Sequence, residues 1–445
     1  MPATLIIGAG FSGVAAALHL ARAGADAITL VGRAGSFGRG VAYGTADPAH
    51  LLNVPAARMG VYADDAAGFL DWLHARGEPH PPGAFVRRAL YGAYLDACLA
   101  ARPELRRVHG EAVGAERIAD RWRVRLADGA THDADALVLA TGNYPPARVP
   151  GLPAALDTAP AYVADPWAPG ALDRLPDSGR ALLLGTGLTM VDVAVSLAAA
   201  RPALALTAVS RHGLLPRAHR DDDAPAAADA SAFAAALPAG VPARVLLHEW
   251  RAWLRAHAGV DWRDAIDALR PRSAEFWRAW PLEERRRFVR HLRAIWDVHR
   301  HRIAPQVARR IDAAIASGRL AVHAGRVRVV GAGTDGLDAE IALRGGTGRL
   351  DGRWDAVVNC TGPDTRLERL PDPLLRGLAA AGWVRPDPLG LGLAVDDDGR
   401  ALMRTGGTAP GLYYIGPLLR GDAWEATAVP ELRTRAARLA AARAG

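Results

Sequence analysis

The sequence contains no lysine, so all 54 of its basic residues are arginines and the net charge of +7 comes from guanidinium groups. Alanine is abundant, which indicates a composition bias of the genome rather than a functional signal. No basic run is interleaved with aromatic residues, as a groove for nucleic acid requires. The charge therefore does not indicate a nucleic-acid partner.

Cysteine is nearly absent. Cys98 and Cys360 lie far apart and form no C-x-x-C pair, which excludes both a disulfide framework and a dithiol redox centre. His299 and His301 are two residues apart, so they do not share a helix face, and no cysteine or second carboxylate joins them. The sequence therefore predicts no metal site.

Long hydrophobic runs are also scarce. The longest, residues 181–200, contains two glycines together with Thr186, Thr189 and Asp192, which favours a strand, a turn and a helix over a membrane span. No secretory signal precedes the first predicted strand. We therefore expect a cytoplasmic protein without a membrane partner.

What the sequence does contain is a glycine-rich motif at its start. An apolar run, Leu5–Ile7, leads into Gly8, Gly10 and Gly13, and a segment with helical periodicity follows from Val14 to Ala23. This order predicts a strand, a tight turn and a helix whose free N–H groups hold the phosphates of a dinucleotide. A second strand is predicted over residues 27–31.

The end of that second strand departs from the usual pattern. An Asp or Glu there normally binds the ribose hydroxyls, but this chain has Gly32 followed by Arg33. We expect Arg33 to stack on the adenine or to reach a phosphate.

A second strand-turn-helix unit begins at Arg180. Gly185 and Gly187 occupy the first two glycine positions, and Met190 stands at the third. The next strand ends in Ser210 and Arg211, and an arginine beside a hydroxyl accommodates the 2′-phosphate of NADP, whereas an acid favours NAD. The sequence therefore favours NADPH, with NADH possible, unless Arg211 is merely exposed.

The remaining segments complete the predicted α/β fold. Apolar strands ending in Thr141-Gly142 and Thr361-Gly362 follow the two units, and a last strand ends near Gly416. Residues 221–240 are rich in Ala, Asp and Pro and predict a mobile loop. Residues 243–318 read as helical throughout.

Together these features resemble the flavoproteins with two dinucleotide-binding domains. Longer motifs resemble more specifically the bacterial FAD/NAD(P)-binding group that includes FAD-dependent urate hydroxylase and some amino-acid N-hydroxylases. These motifs are Gly38-Arg-Gly-Val-Ala-Tyr-Gly-Thr, His50-Leu-Leu-Asn-Val-Pro, Asp165-Pro-Trp, Gly185-Thr-Gly-Leu-Thr-Met-Val-Asp, Val298-His-Arg-His-Arg and Trp424-Glu-Ala-Thr-Ala-Val-Pro-Glu.

The resemblance implies two Rossmann-like domains, the first interrupted by the second, with a helical insertion. It assigns residues 1–150 and 350–445 to an FAD domain, 151–220 and 318–349 to an NAD(P)H domain, and 221–317 to the mobile loop and insertion. The implied FAD contacts are Gly8, Gly10, Phe11, Ser12, Gly13, Arg33, Asn53, Val54, Thr141, Gly142, Gly416, Thr427, Ala428 and Val429. The implied nicotinamide-nucleotide contacts are Gly185, Gly187, Leu188, Thr189, Ser210 and Arg211.

The implied activity is that of a monooxygenase that uses NAD(P)H, FAD and O2 to hydroxylate a small polar nitrogen-containing substrate, a urate-like heterocycle or an amino acid, through a flavin C4a-hydroperoxide. Arg300, His299 and Glu425 are the candidates for anchoring the substrate or positioning protons. Two alternatives stay open: an NAD(P)H:acceptor reductase or oxidase without oxygen transfer, and a non-catalytic nucleotide-binding sensor.

Overall fold

A computed structural model describes residues 3–33, 35, 37–221, 228–332, 336–346 and 348–444. The predicted α/β class is confirmed, because two mainly parallel sheets of six and seven strands dominate these residues. A third sheet has three strands. No helix in the described ranges is long and apolar enough to cross a membrane.

The strands are numbered in chain order. They are β1 (Thr4–Ile7), β2 (Ile28–Gly32), β3 (Arg106–His109), β4 (Ala112–Ile118), β5 (Arg121–Leu126), β6 (Thr131–Ala134), β7 (Ala136–Leu139), β8 (Tyr162–Val163), β9 (Ser178–Leu184), β10 (Ala203–Ser210), β11 (Leu320–Ala332), β12 (Leu337–Leu343), β13 (Arg349–Trp354), β14 (Ala356–Asn359), β15 (Arg400–Leu402) and β16 (Thr408–Tyr414).

The helices are numbered in the same way. They are α1 (Phe11–Arg22), α2 (Gly40–Tyr43), α3 (Gly68–Ala75), α4 (Arg88–Ala100), α5 (Leu188–Ala200), α6 (Ala228–Ala236), α7 (Ala243–Ala256), α8 (Trp262–Leu269), α9 (Ser273–Ala279), α10 (Leu282–His291), α11 (Arg293–Arg300), α12 (Pro305–Ala316), α13 (Pro373–Ala380) and α14 (Val429–Ala444).

The first sheet has the order β15-β16-β7-β1-β2-β3. Its central strands β1 and β7 are buried along their whole length, as expected of parallel strands covered on both faces. Helices α1 and α14 pack on one face with the residues around α3 and α4. Because β1, β2, β7 and β16 run parallel, their carboxyl ends meet at one edge of the sheet.

The second sheet has the order β13-β12-β11-β10-β9-β14-β8. Strand β9 lies between β10 and β14, as β1 lies between β2 and β7, so the repeated Thr-Gly pattern marks equivalent strands in the two sheets. The sheet includes β13 and β14 and therefore extends to Asn359. The domain boundary expected after residue 349 falls inside β13. Residues 350–359, which were expected in the FAD domain, therefore contribute strands to the second sheet.

Most of the helical insertion lies within the crossover between the parallel strands β10 and β11. Helix α12, which was expected to belong to the insertion, closes that crossover. Its Val307 and Ile311 are buried in the same core as the residues of α5 and β9. A crossover helix must cover its sheet, so α12 is part of the second α/β unit.

The loop prediction for residues 221–240 is wrong over its second part. Helix α6 covers 228–236, where alanines with high helix propensity outweigh the low complexity of the sequence. Ala230 and Ala234 are buried, which gives the helix a packed face. Residues 222–227, where the mobile loop was also predicted, lie outside the described residues.

Candidate functional site

The glycine turn after β1 is shaped by close packing. A Cβ on Gly8 would lie 2.1 Å from the carbonyl oxygen of Ala140, and Gly8 has a φ of +112°. A Cβ on Gly13 would lie 1.8 Å from the carbonyl oxygen of Gly8. Both positions therefore require glycine, because the turn, α1 and the end of β7 approach one another too closely for a side chain.

The middle glycine has a different environment. The nearest atom to a Cβ on Gly10 would be 3.7 Å away, so close protein packing does not demand glycine there. Gly10 is the N-cap of α1, and no side chain caps the helix. The N–H groups of Phe11, Ser12 and Gly13 therefore have no intrahelical acceptor and lie at the positive end of the helix dipole. This arrangement fits a diphosphate.

The rim of this site holds an ion pair. Arg33 follows β2 and donates to the carboxylate of Glu111 at 2.6 Å, with both side chains largely exposed. The backbone N–H of Gly110 donates to the carbonyl of Gly32 at 2.9 Å, which places Glu111 beside the strand end that lacks an acid. The sequence analysis missed Glu111, because it comes from the segment after β3 and not from β2.

Other predicted FAD contacts follow strands at the same sheet edge or lie in the segment at residues 53–54. Thr141 and Gly142 follow β7, and Gly416 follows the neighbouring strand β16. Asn53 is half-buried, and its carbonyl lies 3.0 Å from Nε2 of His219. The neighbouring predicted contact, Val54, packs against the core beneath α1.

The predicted turn at Thr427, Ala428 and Val429 leads directly into α14. The N–H of Thr427 donates to the carbonyl of Glu425 at 2.7 Å, and the carbonyl of Ala428 accepts the first helical hydrogen bond, from Leu432. The positive end of α14 therefore lies at this turn, which suits an electron-rich carbonyl or ring nitrogen.

The second glycine turn repeats the first with one difference. A Cβ on Gly185 would lie 2.5 Å from the carbonyl oxygen of Cys360, whereas a Cβ on Gly187 would contact nothing within 4 Å. Gly187 is the N-cap of α5 without a side-chain cap, so the N–H groups of Leu188 and Thr189 are available. This turn also fits a diphosphate.

The predicted 2′-phosphate contacts separate in the structure. The hydroxyl of Ser210 lies 2.8 Å from that of Thr186 and accepts the N–H of Gly213, so it holds the turn after β10 in place. The side chain of Arg211 is exposed. Of the predicted pair, Arg211 is therefore the residue that can reach a phosphate.

Arg211 belongs to a basic cluster that the sequence did not reveal. Nη1 of Arg344 lies 2.5 Å from Nδ1 of His212, and Arg326 is near enough to act on the same ring. Burial, followed by the charges of these three arginines, lowers the pKa of His212. Neutral His212 therefore accepts a hydrogen bond from Arg344, and Arg211 and Arg326 are close enough for their charges to act on the same ring.

Two of the three predicted catalytic residues contact each other. Nε of Arg300 lies 2.9 Å from Oε2 of Glu425, and both side chains are 7% exposed. Glu425 also accepts the indole N–H of Trp296 at 2.9 Å. Arg300 reaches Glu431 at 3.2 Å, and Arg270 donates to Glu431 at 2.6 Å.

This cluster joins the insertion to the start of α14. Burial raises the pKa of Glu431, but the hydrogen bond from Arg270 and the nearby charges outweigh burial and hold it below its usual value. Because the opposite charges of Arg300 and Glu425 are buried against each other, the geometry favours a structural ion pair at the turn before α14. Their role in catalysis stays a prediction.

His299 lies apart from this cluster. Its ring contacts Trp262 at 4.9 Å and Trp250 at 6.1 Å between centroids, and its Nδ1 lies 2.7 Å from the carbonyl of Ile295. Burial lowers the pKa of His299, as do the charges of nearby arginines. The structure therefore places His299 in an aromatic environment inside the insertion, as a neutral ring.

The two units meet at a buried ion pair that the sequence did not predict. Arg88 of α4 donates twice to Asp192 of α5, at 2.8 and 3.0 Å, and also to the carbonyl of Leu51. Nearby, Ser196 of α5 donates to Asp47. These contacts fix the helix of the second glycine turn against the segment that leads to Asn53.

Comparison with known proteins agrees with this arrangement. An FAD-NAD(P)-binding family matches residues 5–144, which contain the first glycine turn and the Thr141-Gly142 strand end. Among curated proteins, no sequence matches the chain.

Solved structures match nearly the whole chain at low sequence identity. Ornithine hydroxylase from Pseudomonas aeruginosa has a TM-score of 0.69 and 17% identity, covering 100% of this chain and 98% of that one. L-lysine 6-monooxygenase from Pseudomonas syringae has a TM-score of 0.68 and 19% identity, with 100% of both chains covered. The ornithine N-hydroxylase of Kutzneria sp. 744 has a TM-score of 0.66 and 18% identity, covering 99% and 98%. The chain therefore shares the fold of flavoproteins with two dinucleotide-binding domains.

Proposed function

We propose that this protein is an FAD-dependent, NADPH-consuming monooxygenase that hydroxylates a nitrogen atom of a small amine or amino acid. The observation that carries the proposal is a pair of helix N-termini, those of α1 and α5. Each has a glycine as its N-cap, lacks a side-chain cap and lies at the carboxyl edge of a mainly parallel sheet. The structural neighbours named above act on ornithine or lysine, which supports an amino-acid-like substrate. None of these neighbours is a urate hydroxylase, so urate stays a member of the test panel.

The chain fits two dinucleotides in distinct places. The first N–H groups of α1 would hold the FAD diphosphate, and the start of α14 would face the pyrimidine end of the flavin. The first N–H groups of α5 would hold the diphosphate of NADPH, with the cluster of Arg211, His212, Arg326 and Arg344 at its 2′-phosphate. Bound FAD supplies the redox and oxygen-activating chemistry.

The protein then binds, orients and shields the reactants. The ion pair between Arg88 and Asp192 fixes the two cofactor sites relative to each other. The Arg300–Glu425 pair holds the turn before α14, where the flavin ring would lie. The overall reaction consumes one amine, one O2, one NADPH and one proton, and yields one hydroxylamine, one NADP⁺ and one water.

The first test is the absorbance spectrum of the purified protein, followed by NADPH oxidation with amines, amino acids, purines and urate. We expect a yellow protein whose NADPH oxidation is accelerated by one class of compound, with a falling yield of peroxide and a matching yield of hydroxylated product. A variant tests the diphosphate site directly. Gly10→Glu should place a carboxylate at this site and abolish bound flavin.

Two outcomes would overturn the proposal. Oxidation that is equally fast without substrate, with every electron pair recovered as peroxide, would identify an oxidase or a reductase. A colourless protein with a native fold would identify a nucleotide-binding sensor. A disulfide reductase is disfavoured already, since Cys98 and Cys360 are separate free thiols and Cys360 is buried.

A further inference from the structure

Helix α11 and the segment after β16 contribute two arginines that the proposed cofactor sites do not use. Nε of Arg293 donates to Oδ2 of Asp297 at 3.3 Å. Nη2 of Arg420 donates to both oxygens of the same carboxylate, at 2.9 and 3.1 Å. The guanidinium carbons of the two arginines also lie 5.8 and 4.3 Å from the ring centroid of Trp424. Two cations from separate parts of the chain are therefore held side by side.

The charges of this group do not balance. Burial raises the pKa of Asp297, but Arg420 and the other basic groups around it outweigh burial and hold the pKa below its usual value. Burial lowers the pKa of His301, whose Nε2 lies 3.7 Å from Asp297. At neutral pH the group therefore contains two guanidinium cations, one carboxylate and a neutral imidazole, which leaves one positive charge in excess.

The two arginines still have N–H groups to offer. Within the part of the chain that the structure describes, Nη1 and Nη2 of Arg293 and Nη1 of Arg420 have no hydrogen-bond partner and are not buried. The side chain of Arg293 is 37% exposed. Trp424, beneath both guanidinium groups, is buried and fixed by packing against Trp277. An anion from solvent can therefore bind to the pair without displacing Asp297.

The arginine pair adjoins the segment that is proposed to contact the flavin. Arg420 directly follows the short helix Pro417–Leu419, whose N-cap is Gly416. Trp424 lies three residues before Thr427 in the turn that leads into α14. The pair is thus carried by the same stretch of chain as two of the predicted flavin contacts.

The pair also adjoins the proposed NADPH site. The N–H of Arg217 donates to the carbonyl of Val298 at 2.9 Å, so the segment after β10 runs beside α11. Arg211, in that segment, is close enough for its charge to act on Arg293. Arg293 therefore lies between the parts of the chain that are proposed to contact the two cofactors, where a substrate has to approach.

The charge and shape of the pair favour a carboxylate over a phosphate. One excess positive charge matches one carboxylate, whereas a phosphate monoester carries about −1.5 to −2 at neutral pH. The planar guanidinium fork matches the two oxygens of a carboxylate. Asp297 would repel the additional negative charge of a phosphate, and the cluster around Arg211 has no carboxylate of this kind among its named members.

We propose that Arg293 and Arg420 form a carboxylate-binding site, and that this site holds the carboxylate of the substrate while its nitrogen faces the flavin. The second clause rests on the proposed function. The assignment selects amino acids, and other amines that carry a carboxylate, over amines that lack one.

The test uses two probes of similar shape, butyrate and its neutral amide, butyramide. Binding to the purified full-length protein is measured by tryptophan fluorescence and by the shift in melting temperature, neither of which requires turnover. We expect saturable binding of butyrate and at least tenfold weaker binding of butyramide. In turnover, butyrate should compete with the substrate and not with NADPH.

Variants locate the site. Arg293→Gln removes the charge but keeps N–H donors, and it should weaken butyrate binding at least tenfold. Arg286→Gln makes the same change in net charge at an exposed position of the preceding helix and should have no effect. Asp297→Asn raises the excess charge from one to two and should shift the preference from butyrate toward inorganic phosphate. Circular dichroism of each variant checks the fold.

Absence of saturable butyrate binding, or equal binding of butyramide, would overturn the proposal. Unchanged butyrate binding in folded Arg293→Gln would overturn the location, and if that variant instead bound NADP⁺ more weakly, the arginines would hold a coenzyme phosphate. Competition of butyrate with NADPH would overturn the second clause. A failure of the proposed function would appear separately, as a protein without flavin or without NADPH oxidation, and would leave the butyrate binding unchanged.

Discussion

The two glycine turns have the same backbone design but differ at the strand that follows each of them. After the first turn, strand β2 ends at Gly32, and Arg33 is paired with Glu111. After the second turn, strand β10 ends at Ser210, and Arg211 lies within a cluster of arginines around His212. The rim at the end of β2 therefore carries a balanced ion pair. The rim at the end of β10 carries three arginines beside a neutral histidine.

In the proposed function, this difference would let one fold distinguish two dinucleotides. An adenosine ribose without a phosphate needs hydrogen bonds but no net positive charge, whereas a 2′-phosphate needs cations. The charged cluster therefore belongs to the site proposed for NADPH. The neutral rim belongs to the site proposed for FAD.

The largest expected effect, on the free energy of unfolding, comes from breaking the ion pair that connects the two units. Asp192→Ala would leave Arg88 buried without its partner and should lower the free energy of unfolding by about 3–5 kcal/mol. The double variant Arg88→Met/Asp192→Leu should recover much of that loss. Chemical denaturation measures both values.

A matched control is the exposed pair Arg22–Asp64, whose side chains are 50% and 62% exposed. Asp64→Ala should cost less than about 1 kcal/mol. If Asp192→Ala cost no more than Asp64→Ala, the buried pair would not be what joins the two units.

The next effect separates packing glycines from ligand-facing glycines. Gly13→Ala forces a Cβ against the carbonyl of Gly8 and should lower the free energy of unfolding by about 3 kcal/mol, with loss of bound flavin. Gly187→Ala meets no atom within 4 Å and should leave stability nearly unchanged while it weakens NADPH binding. Thermal unfolding measures the stability of both variants, the ratio of flavin to protein absorbance measures bound flavin, and the KM for NADPH measures the effect of Gly187→Ala on coenzyme binding. Equal stability losses would contradict the distinction.

A third effect concerns the contact between His219 and the carbonyl of Asn53. Burial, and then the charge of Arg302, lowers the pKa of His219 to about 3 from its ordinary value of 6.5. The unfolded chain therefore takes up a proton first, so stability is complete above pH 6.5 and falls as the pH drops toward 3. At pH 5 the loss should be about 2 kcal/mol.

His219→Gln keeps a donor for the Asn53 carbonyl but cannot titrate, so its stability should fall less between pH 7 and pH 5. Denaturation curves at the two pH values measure this difference. The exposed His74→Gln is the control and should behave like the wild type. An unchanged pH dependence in His219→Gln would show that another group controls acid stability.

The smallest effect sharpens the contrast between the two rims. Arg211→Ala and Arg344→Ala should each raise the KM for NADPH about tenfold, which corresponds to about 1.4 kcal/mol per lost charged contact, and should leave the KM for NADH unchanged. Steady-state NADPH and NADH oxidation measure both constants. Arg33→Ala, at the other rim, should change neither. A parallel rise for both coenzymes would remove the 2′-phosphate assignment.

Much of the fold could be predicted because its signals are local. The spacing of Gly8, Gly10 and Gly13 after an apolar strand depends only on neighbouring residues, and the same is true of Gly185 and Gly187. The helix over 228–236 was missed, since an alanine-rich sequence does not by itself distinguish a helix from a loop. The burial of Ala230 and Ala234 depends on packing that only the structure shows.

The candidate sites were predicted less completely. Arg211 was found because strand ends follow a rule, whereas Arg326 and Arg344 come from the distant strands and turns around β11 and β12. His299 and Arg300 are adjacent in sequence, yet one lies among tryptophans and the other pairs with Glu425. Successive residues of a helix point about 100° apart, so what each one contacts depends on the packing of α11.

The sequence by itself therefore determined the two strand-turn-helix units and their order, because steric demands on glycine act over a few residues. It also predicts the preference for NADPH, from the charge at one strand end. Only the tertiary structure decided the pairing of Arg88 with Asp192, the grouping of three arginines around His212, and the hydrogen bond from Trp296 to Glu425. Each of these joins residues from different elements, and their distances are set by how whole helices and sheets pack.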